Sequence, residues 1–78
     1  MSDHVVGVFA AVLDVDPNTL NDDSSPDNTP TWDSTAAMAL VVGIEERFNI
    51  ELTTREISAM RTIGLVREVL RRKGVQGV

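Results

Sequence analysis

The sequence predicts an all-α fold: a small four-helix bundle with a long first loop and a short third helix. Three observations predict it. Apolar residues recur at helical three-and-four spacing in separate stretches, Val5 to Leu13, Met38 to Phe48 and Ile63 to Leu70. A run of Pro, Asn, Asp, Ser and Thr from Asp14 to Trp32 interrupts them. Finally, 78 residues that are 42% hydrophobic and contain no cysteine must be held by one modest core without staples. The signals for helix starts and stops place the helices at about 3–13, 34–48, 55–60 and 62–73, with residues 1–78 forming one domain.

The first helix has Ser2 as its expected N-cap and Asp3 favourably placed in the opening turn. Val5, Val8, Phe9 and Val12 make its apolar stripe. The valine-rich run could pass for a buried strand, but Ala10-Ala11 and the lack of a second strand to pair with favour helix. Gly7 costs this helix roughly 1 kcal/mol relative to alanine. The loop that follows holds three prolines, which excludes a regular element there, and its length implies a function or pinning by its own side chains. Val15 and Leu20 are the expected pins, and Trp32 is expected to pack at its end.

Asp33 or Ser34 caps the second helix. Val41, Ile44 and Phe48 keep strict spacing and are its expected core residues, with Met38 as core filler. Ala36, Ala37, Ala39 and Gly43 are expected on a small, smooth opposite side, and Asn49 as a left-handed terminator. Ile50 and Leu52 carry an extended connection. Thr53-Thr54-Arg55-Glu56 has the spacing of a capping box and starts the third helix, with Ile57 and Met60 inward. Thr62 opens the fourth helix, whose Ile63, Val66, Val69 and Leu70 point inward. Arg71, Arg72 and Lys73 suit its C-terminal dipole, Gly74 ends it, and Val75 to Val78 are expected to fray.

Charge is divided unevenly. Residues 1–54 carry ten acids against Arg47, a balance of −9, whereas residues 55–78 stand at +4. The acidic front excludes nucleic acid, whose phosphates it would repel, and favours partners with basic docking surfaces. No apolar run is long enough to cross a bilayer, and Ser2-Asp3-His4 lacks the basic start of a signal peptide. A cytoplasmic protein without membrane contact is the expectation. His4 is the single histidine, expected at the surface and functionally silent, so general-base and metal schemes lack parts. A small enzyme is disfavoured accordingly.

Helix, long polar loop, Asp-Ser at a helix start, short helix and final helix together resemble the acyl carrier proteins over nearly the whole chain. The resemblance is most specific in Asp33-Ser34 followed by Thr35-Ala36-Ala37-Met38-Ala39-Leu40-Val41-Val42-Gly43-Ile44-Glu45-Glu46-Arg47-Phe48, with the exit Asn49-Ile50-Glu51-Leu52. It implies a non-catalytic carrier in which Ser34, beside Asp33, bears covalent 4′-phosphopantetheine taken from coenzyme A. The arm's thiol would hold an acyl group as a thioester. The implied partners are a phosphopantetheinyl transferase and the enzymes that load and use the cargo, meeting a monomer. A primary hydroxyl at a helix start suits this, because nearby N–H groups and the dipole favour a phosphodiester.

Several positions depart from the family pattern. Thr35 replaces the usual leucine, Pro30-Thr31-Trp32 replaces the glycine before the aspartate, and Ala36, Ala39 and Arg47 stand where acids are common. Asp33, Glu45 and Glu46 remain as acidic partner-facing residues, with Trp32, Thr35 and Met38 as further contacts. Trp-Asp-Ser resembles discrete carriers of specialised pathways, polyketide biosynthesis among them. A peptidyl carrier of a nonribosomal pathway, or an unmodified helical adaptor, are the alternatives the residues leave open.

Overall fold

In the computed structural model, which describes residues 3–78, the elements are α1 (His4–Leu13), a single 3-10 turn (Pro17–Thr19), α2 (Ser34–Phe48), α3 (Thr54–Ala59) and α4 (Ile63–Arg72). No strand occurs among the described residues, and no described helix is long and apolar enough to cross a membrane. The 3-10 turn corrects the expectation of a wholly irregular loop. Asp16 caps it by accepting from the Asn18 N–H at 2.8 Å, and Pro17 suits its first position.

Each helix starts on a side-chain cap. The proposed Ser2 cap lies outside the described residues; Asp3 fills that role, its carboxylate accepting from the Val5 and Val6 N–H groups at 3.2 Å. At α3 the capping box forms in full: Thr53 Oγ1 accepts from Glu56 N–H, and Glu56 accepts from Thr53 N–H at 2.9 Å. That N–H, with Lys73 second, holds the Glu56 carboxyl below its usual range. Thr62 caps α4 through Leu65 N–H.

The three long helices stop in one way. Asp14 (φ 55°), Asn49 (φ 54°) and Gly74 (φ 87°) turn left-handed. The next N–H then reaches the carbonyl five residues back: Val15 to Ala10, Ile50 to Glu45 and Val75 to Leu70, at 3.0–3.2 Å. This arrangement satisfies carbonyls that the helix itself leaves open. It also returns the tail to the bundle. Val75 and Val78 pack against the core and the Arg71 guanidinium donates twice to Val78 O, so the expected fraying is corrected.

The core gathers Val5, Phe9 and Leu13 of α1, Leu40 and Ile44 of α2, Ile63, Val66 and Leu70 of α4, and Trp32. Trp32 meets Phe9 edge to face, with centroids 5.1 Å apart. On α2 the expected core trio holds in part: Ile44 is buried and Phe48 packs half-buried against the core, but Val41 does not join it and Leu40 takes the second fully buried place. Met38 is 68% and Val42 52% exposed, so Met38 is not core filler. The expected smooth outer side is instead partly inward. Ala36 and Ala37 pack against the core, and a Cβ on Gly43 would come within 3.2 Å of Val8 Cγ1. Apolar residues surround α2, so periodicity alone does not choose its inner face; α1 docks where small residues let the backbones approach. Met60 packs inward as expected, whereas Ile57 stays 38% exposed.

The long loop is pinned as expected, with Val15 and Leu20 against the core and Ser24 and Thr29 buried. Its own side chains brace it: Asn28 Oδ1 accepts from Ser25 N–H and Asn28 Nδ2 donates to Asp23 O. Its backbone also serves α4, because Asp22 O and Ser24 O accept from Gly64 and Ile63 N–H at 2.9 and 3.1 Å. A side chain on Gly64 would crowd that contact, its Cβ lying 3.1 Å from Asp22 O.

Arg67, its side chain 13% exposed, ties three elements together. It grips both oxygens of Asp3 at 2.6 and 3.1 Å and reaches Asp22 at 2.7 Å. Its hydrogen bond is the main reason the Asp3 carboxyl lies below its usual range. Arg67→Met should therefore cost about 1–2 kcal/mol at neutral pH, a charge-assisted value discounted for the solvent exposure of both aspartates. A depressed carboxyl contributes stability above its unfolded pKa and loses it as pH falls through the folded one. The gap between wild type and variant should thus be full at pH 7 and shrink below about pH 4. Urea melts across that range measure it; a gap that does not shrink on acidification would refute the assignment to Asp3.

Candidate functional site

The site lies at the start of α2. Asp33 is extended (φ −105°, ψ −173°), and its carboxylate accepts from Ala36 N–H at 2.8 Å. Of the two caps the sequence allowed, Asp33 is the one used. Ser34 becomes the first helical residue, exposed, with its hydroxyl uncommitted to capping. Two residues before Ser34, Trp32 is only 5% exposed and its backbone N–H donates to Thr29 O at 2.9 Å. The buried indole anchors the chain just before the exposed serine.

An open groove of about 280 Å³ runs beside Ser34, lined by Pro26, Trp32, Asp33 and Ala37. A much smaller, partly open cavity, about 40 Å³, lies between Phe9 and Trp32 on one side, Ala37, Leu40 and Val41 of α2, and Ile57 of α3 with Met60 just after it. Pro26 and Ala37 were not among the expected site residues. Pro26 sits on the loop and comes to Ser34 only through tertiary folding, and Ala37 reads as helix filler in any sequence.

Along α2, Ser34, Met38, Val42 and Glu46 are exposed and recur every four residues, so they share one row of the helix. Thr35 and Ala39 flank it, also exposed. From Ser34 to Ile44 this helix has no ionisable side chain. Two expected contacts are placed differently. Trp32 belongs to the core, where it is 5% exposed and lines the groove. Glu45 is half-buried, and its Oε2 accepts from Leu52 N–H at 2.8 Å, which braces the turn out of α2. Glu46 is exposed about 18 Å along the helix from Ser34, at 1.5 Å per residue. His4 is exposed, as expected, and pairs through Nδ1 with the Arg47 guanidinium.

The arrangement can present one hydroxyl and little else. No side chain within the groove is a base placed to activate Ser34 apart from Asp33, whose carboxylate is turned to the Ala36 N–H. The Ser34 and Thr35 N–H groups open the helix, where a negative charge is favoured.

A family model described as a phosphopantetheine attachment site matches residues 3–70. The chain belongs to the phosphopantetheine attachment-site family. The match runs from α1 through the long loop, α2 and α3 into α4, ending two residues before that helix does. Proteins of this family attach 4′-phosphopantetheine covalently, so the chain is a phosphopantetheine-bearing carrier that works with partner enzymes. Carrier domains of this family are generally non-catalytic.

Proposed function

We propose that Ser34 is the attachment point and that the chain, as one domain over residues 1–78, shuttles an acyl group between enzymes of a biosynthetic pathway, of polyketide or other specialised type. The observation that carries this reading is the division of labour at the helix start: Asp33 caps α2, leaving the Ser34 hydroxyl exposed beside an open groove. In the loading step Ser34 Oγ bonds to the phosphorus of coenzyme A that bears the pantetheine. The pyrophosphate P–O bond breaks, and adenosine 3′,5′-bisphosphate leaves. The hydroxyl proton passes to a base on the phosphopantetheinyl transferase. Once bound, the group supplies a terminal thiol on a long tether that holds the cargo as a thioester.

The residues fit such a group. The groove gives the arm room, and the helix start favours the phosphodiester's charge. Met38 and Val42, on the same row as Ser34, offer an apolar surface to the transferase and to the loading and transferring enzymes, with Thr35 beside them and Glu46 at the far end. Asp33 and Glu45 contribute through the backbone they hold. The chain acts as a cytoplasmic monomer, meeting these enzymes in turn; a tether at each active site supplies high effective concentration.

Intact mass after incubation with coenzyme A and a promiscuous phosphopantetheinyl transferase tests the reading. The expected result is a gain of one phosphopantetheine, mapped by peptide fragmentation to Ser34. A gain mapped elsewhere would move the site; no gain on folded protein would favour the unmodified helical adaptor.

A further inference from the structure

We propose that Trp32 closes the route from the arm to the interior of the bundle, so that this carrier holds its cargo in solvent and suits short or polar acyl groups. The inference rests on the carrier reading above and adds the class of cargo. Two observations carry it. Trp32 and Ala37 line both the open groove at Ser34 and the small cavity behind it, so they form the wall between the two. The indole is also fixed in place, 5% exposed and seated edge to face on Phe9.

Behind that wall every lining residue is apolar, so an alkyl chain would gain by entering and a polar one would not. The space itself is the obstacle. About 40 Å³ is the room of a few water molecules, not of an extended alkyl chain. Enlarging it means displacing Trp32 from Phe9 or parting α2 from α3, whereas shortening the indole would join cavity and groove into one apolar recess below Ser34. Trp32 is thus a specificity-determining residue that acts by exclusion.

The test uses the protein loaded with acetyl or octanoyl arms from the corresponding acyl-coenzyme A, as wild type and Trp32→Leu. In the wild type, the amide shifts of Val41 and Ile57 and the melting temperature should be the same with both cargoes. In Trp32→Leu, octanoyl should shift those amides and raise the melting temperature by about 4 °C or more over acetyl, as a ligand bound only by the folded state does. Octanoyl-dependent shifts of the same size in the wild type would overturn the proposal, as would a folded Trp32→Leu that shows none. If Trp32→Leu does not fold, Trp32→Phe, which keeps an aromatic edge on Phe9, is judged by the same criteria. Should the wild type accept no arm, the carrier reading fails on its own. Benzene titrated into unmodified protein then decides the role of Trp32, with shifts at Val41 and Ile57 expected in the variant and not in the wild type.

Discussion

Ser34→Ala should abolish arm attachment completely and leave the fold as stable as before. The first half follows from chemistry: without Oγ there is no atom to bond to phosphorus, and Thr35, the next hydroxyl, is a secondary alcohol one position further round the helix. The second half follows from the structure. Asp33, not Ser34, accepts from the Ala36 N–H, so the cap survives the substitution. Ser34 is exposed and helical, and alanine is the stronger helix former, so stability should change by less than about 0.5 kcal/mol. Intact mass and a thermal melt on one sample check both halves. A melting temperature lowered by more than about 4 °C would show that the hydroxyl has a structural role. Residual single loading of the variant would show that the arm sits elsewhere.

Phe9→Ala should have the largest effect on stability, about 3–5 kcal/mol. Its ring is fully buried, touches the only tryptophan edge to face and lines the cavity between α2 and α3. Removing it enlarges an existing void and leaves the indole without its partner, a contact worth roughly 0.5–1.5 kcal/mol beyond burial. For a chain of this length the whole stability is on the order of 4–12 kcal/mol, so the variant should be partly unfolded under mild conditions. Urea titration followed by Trp32 fluorescence reads the loss directly, since one indole reports on the packing being removed. A shift in midpoint equivalent to less than about 1 kcal/mol would mean that the core around Trp32 collapses to fill the gap.

Much of the site was legible because capping chemistry is local. Asp33-Ser34 ahead of an apolar run, the Thr53–Glu56 box and Asn49 as terminator each depend on residues within a few positions, and each forms. The tail was misjudged for the opposite reason. Arg71 reaches Val78, and Val75 and Val78 find the core, only once α4 is seated. Glu45 looked like a partner contact because sequence cannot show that the chain turns back and offers it the Leu52 N–H.

Taken by itself, the sequence determined the class of fold, the approximate helix bounds and the serine set at the start of α2, because spacing, caps and breakers act over short distances. Tertiary structure alone decided which side of α2 is buried, that the ring Trp32 packs on is Phe9, and that Arg67 binds Asp3 and Asp22 across the fold. The physical reason is that α2 is apolar on every side, so its orientation depends on where α1 can approach closely. That approach occurs at Gly43 and the small residues near it, leaving Met38 and Val42 outside on the row that carries Ser34.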